Sequence, residues 1–368
     1  MKEITPAAKH GIVHRVPDTI FKYNGWPSVC KDDKGVLYAT ASSMRVQHVD
    51  PSGKNCMYVS FNEGETWTPP IVVNDSYLDD RDTGIAYLGG GRMCMSWFSL
   101  RDEDNYARFA DYDWLKEPDK ATILGMAKAI PLLPEEETRS AAYVKLSDDY
   151  GVTWSENIRV PMTCPHGPNV TAGGDLIFLG KIMDGECGEN SKRIGLFYSS
   201  DFGRTWDLRG IVPLPEDLII DMMHEPHVVE LPGGRLLGAI RVHCRPVQPE
   251  FTVYTTFSDD GGYTWSMPEC IGVDGSPPHL LVHSSGAVIC SYARRGGAGN
   301  QSERAAVSYD GGVTWAEDYV VNPDVPFCDL GYPATVELKD GSLLTVYYQC
   351  WPGDDFCSVL QTKWSLNK

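Results

Sequence analysis

An eight-residue motif with the pattern Ser-x-Asp-x-Gly-x-Thr-Trp recurs five times along the chain. The copies, called box motifs here, begin at Ser60, Ser147, Ser199, Ser258 and Ser308, and the first is degenerate, with Asn62 where the others have Asp. In such a motif the acidic side chain can accept backbone N–H groups, the glycine can adopt a positive φ, and the tryptophan can pack beside the turn. Each copy follows a short β-like run, so the five copies predict five similar hairpin turns.

A second repeat lies between the boxes. A residue that starts an inner strand is followed at eight positions by glycine and at ten by an apolar residue, and the starting residues are Pro27, Thr83, His166, Pro226, Pro278 and Pro333. Six such pairs of strands, alternating with outer hairpins, predict an all-β fold, a six-bladed β-propeller of four-stranded antiparallel blades. Two β-sandwiches are the rival architecture, but the repeats continue unbroken across the middle of the chain.

The repeats extend over nearly all of the 368 residues, which predicts a single domain. The sixth blade has no box. We expect its third strand at Val359–Trp364 and its fourth strand from the N-terminal segment around Gly11–Val16. The spacing also predicts an insertion on the propeller rim at about 98–140, with a short helix within 114–131. Such an insertion could serve as a lid over the central site or simply pack on its neighbours.

Composition excludes several classes of function. With 32 basic and 50 acidic side chains, the net charge is −18, so we expect neither nucleic acid nor an anionic membrane as a partner. The 11 cysteines are scattered and many lie in apolar runs, which favours a reducing compartment and a cytoplasmic location; a secreted chain with its leader removed remains an alternative. No cofactor is expected, the histidines are too scattered to indicate a metal site, and protein partners are not predicted.

Five box motifs on a six-bladed frame resemble the sialidase (neuraminidase) superfamily, also called BNR-repeat proteins. The resemblance covers nearly the whole chain and is close to glycoside hydrolase family 33. It implies an exo-acting, retaining glycoside hydrolase that acts on sialic acid or a related acidic sugar. The box motifs lie at outer turns away from the propeller axis, so they indicate the fold and not the activity.

In a propeller, the residue before each repeat start points towards the axis. Those residues, or their close neighbours, are Trp26, Asp82, His166, Glu225, His279 and Tyr332. Position by position, the resemblance implies Tyr332 as nucleophile, Glu225 as its base and Asp50 as the acid/base. It also implies that Arg241 and Arg304 bind the carboxylate of the sugar. The further candidates for substrate binding are Arg45, Arg81, Asp82, Trp26, His166, His227 and His279.

One element of the family pattern is missing. The family begins its first blade with Arg-Ile-Pro, whereas this chain has Gly25-Trp26-Pro27, so one arginine of a three-arginine clamp is absent. We therefore expect poor turnover of ordinary sialosides, with Arg81, Arg45 or Arg15 as possible substitutes. Two other function classes stay open: a carbohydrate-binding propeller without catalysis, and a polysaccharide lyase with a Tyr or His base. A scaffold role is the least expected of the alternatives.

Overall fold

The chain folds into six sheets that follow one another in sequence, as seen in a computed structural model that describes residues 1–243, 249–296, 300–323, 325–326 and 329–367. Before the first blade come two short strands, β1 (Lys2–Ile4) and β2 (Lys9–His14). Blade one contains β3 (Tyr23–Lys31), β4 (Leu37–Arg45), β5 (Lys54–Ser60) and β6 (Ile71–Asn74). Blade two contains β7 (Asp79–Gly89), β8 (Arg92–Leu100), β9 (Ala141–Ser147) and β10 (Ile158–Val160).

The other four blades repeat this plan. Blade three contains β11 (Met162–Thr163), β12 (Asn169–Val170), β13 (Leu176–Ile182), β14 (Ile194–Ser199) and β15 (Asp207–Ile211). Blade four contains β16 (Met223–Glu230), β17 (Leu236–His243), β18 (Phe251–Ser258) and β19 (Glu269–Cys270). Blade five contains β20 (His279–Val282), β21 (Val288–Arg294), β22 (Ser302–Ser308) and β23 (Glu317–Asn322). Blade six contains β24 (Gly331–Glu337), β25 (Leu343–Cys350) and β26 (Cys357–Trp364).

The prediction of a six-bladed propeller is confirmed. Strand β2 pairs antiparallel with β26, so the N-terminal segment supplies the fourth strand of blade six, as expected. Strand β1 pairs parallel with β23 and adds a fifth strand to blade five, which the repeats did not predict. The N-terminal segment thus holds two neighbouring blades together, and radial closure of this kind protects the sheet edges.

The box motifs form the turns that their residues predict. In the box that starts at Ser258, Asp260 Oδ1 accepts the backbone N–H of Thr264 at 2.9 Å and Oδ2 accepts its hydroxyl at 2.6 Å. Gly262 has a φ of +95°, and Trp265 Nε1 donates to its carbonyl at 3.1 Å. These hydrogen bonds hold the pKa of Asp260 down at about 2. The turn is therefore stabilised by a carboxylate that stays ionised over the whole physiological range.

Between β8 and β9 the chain forms three short helices, α1 (Glu103–Ala107), α2 (Asp119–Ala129) and α3 (Glu135–Thr138), with single 3₁₀ turns at Arg108–Asp111 and Ile130–Leu132. The apolar side of this segment packs next to blade one: Phe109 and Ile123 share a buried cluster with Val46, and Ile20 and Phe21, from the connection between β2 and β3, pack against that cluster. The insertion thus packs on its neighbours. No helix in the described part of the chain is long and apolar enough to cross a membrane.

Candidate active site

Four non-glycine residues with left-handed backbone lie where inner strands begin near the propeller axis. Trp26, Asp82, Glu225 and Tyr332 have φ values of +51°, +55°, +43° and +52°. Each falls at a register shift between the first and second strands of its blade, which is a β-bulge. A left-handed residue with a side chain costs about 1–2 kcal/mol. Such strain persists where the surrounding structure holds it, commonly at functional sites, and here the bulge turns one side chain per blade towards the axis.

The centre of the group is a bond between two blades. The Tyr332 hydroxyl donates to Glu225 Oε1 at 2.6 Å, and Arg241 Nη1 donates to Glu225 Oε2 at 2.5 Å. Burial alone would raise the pKa of Glu225, but the Arg241 charge and the Tyr332 hydrogen bond outweigh it and leave that pKa below its usual value. Burial and the Glu225 charge raise the pKa of Tyr332 well above 10. Tyr332 is therefore a neutral phenol in contact with an ionised carboxylate, which is the arrangement that a tyrosine nucleophile needs.

Asp82 is the second carboxyl group of the site. It is buried, and burial and the nearby charge of Glu225 raise its pKa to about 7 although Arg81 acts in the opposite direction. Its Oδ1 atom has no hydrogen-bond partner among the described residues. Asp82 therefore carries a proton over part of the neutral range, which is a property that a general acid requires.

Two arginines border Tyr332. Besides Arg241, the Arg295 guanidinium lies 5.3 Å from the centroid of the Tyr332 ring, and its Nη2 donates to the Leu330 carbonyl at 2.6 Å and the Tyr348 hydroxyl at 3.3 Å. The Nε–H groups of Arg241 and Arg295 are buried without a partner in the described part of the chain. Two charged donors thus remain unsatisfied beside Tyr332, so the site is suited to an anionic group.

Arg295 takes the place that the sequence assigned to Arg304. Arg304 lies on β22, the third strand of blade five, and its Nη2 donates to Asp318 at 2.7 Å and Glu3 at 2.5 Å. These partners belong to the outer strands, so the prediction that Arg304 joins the central clamp is wrong. Arg295 follows the second strand of its blade directly, and Arg241 lies near the end of the corresponding strand of blade four. The matching positions of Arg241 and Arg295 at the ends of the second strands of blades four and five are the sequence feature that could have identified Arg295.

Asp50 is also placed differently from the prediction. It is completely buried, and its Oδ2 accepts the backbone N–H groups of Val46 at 2.8 Å and Gln47 at 2.9 Å. Its Oδ1 accepts the Ser52 N–H at 2.7 Å. Both oxygens are therefore used to close the turn after β4, and the structure does not bring Asp50 to Tyr332. The structure therefore does not support the prediction of Asp50 as acid/base. Asp82, predicted as a substrate contact, is the carboxyl group whose charge acts on Tyr332.

Trp26 is buried and packs against the guanidinium groups of two arginines. Its indole is completely buried, with the Arg45 and Arg81 guanidinium groups 4.7 and 4.2 Å from the ring centroid. Arg45 is buried in an ion pair with Asp79 at 2.5 Å, which removes it from the candidates for ligand binding. Arg81 keeps an unpartnered Nε among the described residues. The complete burial of Trp26 does not support its prediction as a substrate-binding residue. Arg81 is the remaining substitute for the arginine missing at Gly25, since Arg15 instead donates twice to Asp354 at 2.6 Å.

Three buried histidines stand together on the axis. The ring centroids of His227 and His279 are 4.5 Å apart, and the His166 ring lies 5.0 Å from His279 and 6.4 Å from Tyr332. His227 Nδ1 accepts the backbone N–H of Leu280 at 2.9 Å in the next blade. Burial lowers the pKa of His227 to about 3 and those of His166 and His279 well below 6.5. They are neutral, and His227 braces neighbouring blades; in the described residues no group of three His, Cys, Asp or Glu side chains could hold a metal ion.

A cavity of about 590 Å³ adjoins the buried aromatic cluster of Tyr23, Trp26, Tyr332 and Tyr348. It is lined by Tyr23, His48, Asp329, Phe356 and, from the insertion, Trp114. Asp329 accepts hydroxyl hydrogen bonds from Tyr23 at 2.7 Å and Tyr348 at 2.9 Å. Burial opposes ionisation, but His48 and these two hydroxyls lower the pKa of Asp329 to about 2. The cavity thus combines aromatic faces with a fixed negative charge, next to the site around Tyr332.

Comparison with known proteins agrees with this architecture. Residues 168–351 match the family described as "BNR repeat-like domain". This chain belongs to that BNR repeat-like family. The membership that the box motifs predict is confirmed, and it places the chain in the sialidase/BNR-repeat superfamily. No curated protein matches this BNR-repeat propeller in sequence.

Solved structures share the fold of this BNR-repeat propeller at low identity. A protein of unknown function from Dyadobacter fermentans is 21% identical, with a TM-score of 0.75, over 98% of this chain and 100% of that one. The intramolecular trans-sialidase from Ruminococcus gnavus is 15% identical, with a TM-score of 0.68, over 94% and 95%. An α-L-arabinanase from Penicillium chrysogenum is 15% identical, with a TM-score of 0.61, over 98% and 99%. These neighbours show the fold of the chain and leave its activity and substrate open.

Proposed function

We propose that the protein is an exo-acting, retaining glycoside hydrolase that removes a terminal acidic sugar. The observation that carries this proposal is the 2.6 Å hydrogen bond from Tyr332 to Glu225, whose other oxygen is held by Arg241. A tyrosine nucleophile is the known exception to paired carboxylates in retaining hydrolysis. A neutral attacking group suits a sugar with a carboxylate at or near the anomeric carbon, because an anionic nucleophile would be repelled.

In the first step Glu225 accepts the phenolic proton while the Tyr332 oxygen attacks the anomeric carbon. Asp82 donates its proton to the departing oxygen, so the leaving group departs as a neutral alcohol. The Arg241 and Arg295 guanidinium groups, which both lie beside Tyr332, bind the sugar carboxylate. In the second step Asp82, now ionised, accepts a proton from water while the water oxygen attacks the anomeric carbon and breaks its bond to Tyr332. Glu225 returns its proton to the departing Tyr332 oxygen, which restores the starting state.

A panel of aryl glycosides tests this proposal. 4-Methylumbelliferyl glycosides of acidic sugars, sialic acid and uronic acids included, are compared with those of neutral sugars such as arabinose. We expect turnover of an acidic sugar only, with slow turnover of the sialoside because Gly25 removes one clamp arginine. A mechanism-based fluorinated analogue of the preferred sugar should label Tyr332, as seen by mass spectrometry of the peptide. Turnover of the neutral glycosides alone, or label on another residue, would contradict the proposal.

The runner-up is a polysaccharide lyase, favoured by one observation: Tyr332 borders two arginines that could neutralise a uronate. A lyase releases an unsaturated sugar that absorbs in the ultraviolet and incorporates no water. A hydrolase incorporates one oxygen from ¹⁸O-labelled water. Products of an oligosaccharide digestion therefore separate the two reactions, and binding without any product would indicate a carbohydrate-binding propeller.

A further inference from the structure

Two cysteines face each other at the open end of the last hairpin. Cys350 ends β25, Cys357 begins β26, and the two are direct partners in the antiparallel ladder. Direct partners in such a ladder have Cα atoms about 4.5–5.5 Å apart, with side chains on one face of the sheet. This separation lies within the range of about 4.4–6.8 Å over which a disulfide forms without backbone movement. The ladder therefore holds the pair in a geometry that a disulfide can take.

The hairpin tip is fixed to the rest of the molecule. Asp354 accepts two hydrogen bonds from Arg15, both at 2.6 Å, and Asp355 pairs with Lys22 at 2.9 Å. The Lys22 ammonium lies 4.7 Å from the Phe356 ring centroid. These contacts fix both ends of the turn, so the two cysteines stay in register and little entropy is lost when a bond joins them.

The two thiols are chemically unequal. Cys357 Sγ donates to the Asp329 carbonyl at 3.2 Å. When its single proton turns towards Cys350 instead, it stabilises the thiolate there, which lowers the pKa of Cys350 and raises that of Cys357 well above the usual value. Because the Cys357 proton is held by the Asp329 carbonyl, we assign Cys350 as the attacking thiol and Cys357 as the resolving thiol.

Small reagents have a route to these sulfurs. Both cysteines are about 2% exposed, yet both line the 590 Å³ cavity that Asp329 and Phe356 also border. By contrast, Cys290 lies in the core between blades four and five, and burial raises the pKa of its thiol far above the usual value. Only the hairpin pair, among these three cysteines, combines a facing partner with a cavity.

We propose that Cys350 and Cys357 form a redox-active dithiol that hydrogen peroxide or a low-molecular-weight disulfide converts to a cross-strand disulfide. With peroxide, the Cys350 thiolate attacks one oxygen and breaks the O–O bond, giving a sulfenic acid and hydroxide. Cys357 sulfur then attacks the Cys350 sulfur, and the sulfenic hydroxyl departs with the Cys357 proton as water. The proton that Cys350 lost when it ionised neutralises the hydroxide from the first step. Two thiols lose two electrons and two protons, and one peroxide becomes two waters.

The disulfide would also affect the site around Tyr332. Cys350 and Cys357 pack in one buried cluster with Tyr332 and Tyr348. Oxidation removes the Cys357 S–H donor from Asp329, whose carboxylate holds Tyr23 and Tyr348. Resting on the proposed function, we expect oxidised protein to have a lower kcat/KM that dithiothreitol restores. The chemical test below needs no substrate, so it succeeds or fails independently of that function.

Differential alkylation of the native protein provides the test. After treatment with hydrogen peroxide or oxidised glutathione, free thiols are blocked with iodoacetamide in denaturant and the protein is digested with trypsin. Both cysteines lie in one peptide, residues 340–363. After oxidation we expect this peptide to be two hydrogens lighter and to resist alkylation. Its disulfide should form about tenfold faster than Cys290 is oxidised. Exposed Cys270 reports that the reagent is active, because oxidised glutathione should modify it singly.

Two variants keep the proposal falsifiable. In Cys357→Ser the sulfenic acid on Cys350 should persist and be trapped by dimedone, whereas Cys350→Ser should give no trapped product; the Tm of each shows whether the fold survives. The proposal is overturned if Cys270 reacts while peptide 340–363 stays fully alkylated. It is also overturned if Cys357 links to another peptide, such as the one carrying Cys328, which lies outside the described residues.

Discussion

The hydroxyl of Tyr332 donates to the carboxylate of Glu225 at 2.6 Å, although the two residues lie 107 positions apart in the chain. Both residues have left-handed backbone at a bulge of an inner strand. The bulges therefore turn two side chains from blades four and six onto the same axis. The left-handed backbone costs about 1–2 kcal/mol per residue, and it allows the Tyr332–Glu225 hydrogen bond, which regular strands would not make.

Tyr332→Phe should abolish turnover and preserve the fold. The change removes the attacking oxygen and leaves the ring and its packing in place, so we expect kcat to fall by about 10³-fold or more with a near-normal Tm. Tyr292→Phe is the matched control, since Tyr292 is a buried tyrosine whose hydroxyl bonds to Asp318 at 2.9 Å away from the axis. Near-normal turnover by Tyr332→Phe on the preferred substrate would show that the tyrosine is not the nucleophile.

Asp82→Asn should remove the alkaline limb of the pH profile. The acid must hold its proton, and its pKa of about 7 predicts that kcat/KM of the natural protein falls above that pH. We expect Asp82→Asn to lose about 10²–10⁴-fold on poor leaving groups and much less on activated aryl glycosides. A pH series on both substrate types measures this. An unchanged alkaline limb in the variant would assign that ionisation to another group.

Burial raises the pKa of both Asp82 and Asp50, so substitution of either carboxyl group should affect stability. The folded pKa of Asp82 lies above its unfolded value, so its favourable contribution is complete at low pH and is lost as pH rises through about 7. In urea unfolding, the free energy of unfolding of Asp82→Asn, measured relative to that of the natural protein, should therefore be higher at pH 8 than at pH 4. Asp50→Asn should lower the free energy of unfolding by about 1–3 kcal/mol, because a carboxylate that accepts three backbone N–H groups is lost.

Arg295→Lys should weaken binding of the acidic substrate. A charge-assisted hydrogen bond contributes about 1.5–3 kcal/mol, which predicts a rise in KM of about tenfold to a hundredfold. Arg304→Gln serves as the control: it breaks the pairs with Asp318 and Glu3, so Tm should fall while KM of the folded protein stays unchanged. If Arg304→Gln raises KM and Arg295→Lys does not, the clamp has been assigned to the wrong residue.

The histidines on the axis predict sensitivity to acid. His227 has a folded pKa of about 3, below its unfolded value of about 6.5, so stability is complete above pH 6.5 and falls as the pH drops towards 3. His227→Asn keeps an acceptor near the Leu280 N–H and cannot titrate. Between pH 8 and pH 5 the variant should lose about 2 kcal/mol less stability than the natural protein in urea unfolding. An equal loss in both proteins would place the acid sensitivity elsewhere.

Sequence alone determined the architecture and part of the site. The box motifs and inner-strand repeats encode local turns, so counting them gave six blades and the closing N-terminal strand. The same repeat placed Glu225 and Tyr332 before inner strands, and Arg241 followed from the resemblance to a known family. These features depend on short-range geometry that is copied in every blade, and this is why they can be predicted without coordinates.

Only the tertiary structure decided between residues of the same chemical type. Asp50 and Asp82 are both carboxyl groups near strand ends, but the backbone N–H groups of one turn occupy Asp50. Burial near Glu225 instead raises the pKa of Asp82 to about 7, and its Oδ1 has no partner among the described residues. Arg295 and Arg304 differ in the same way, since strands outside the axis supply the partners of Arg304. Which carboxylate keeps a proton, and which arginine keeps a free donor, depends on desolvation and on neighbours from other blades, and spacing along the chain contains neither.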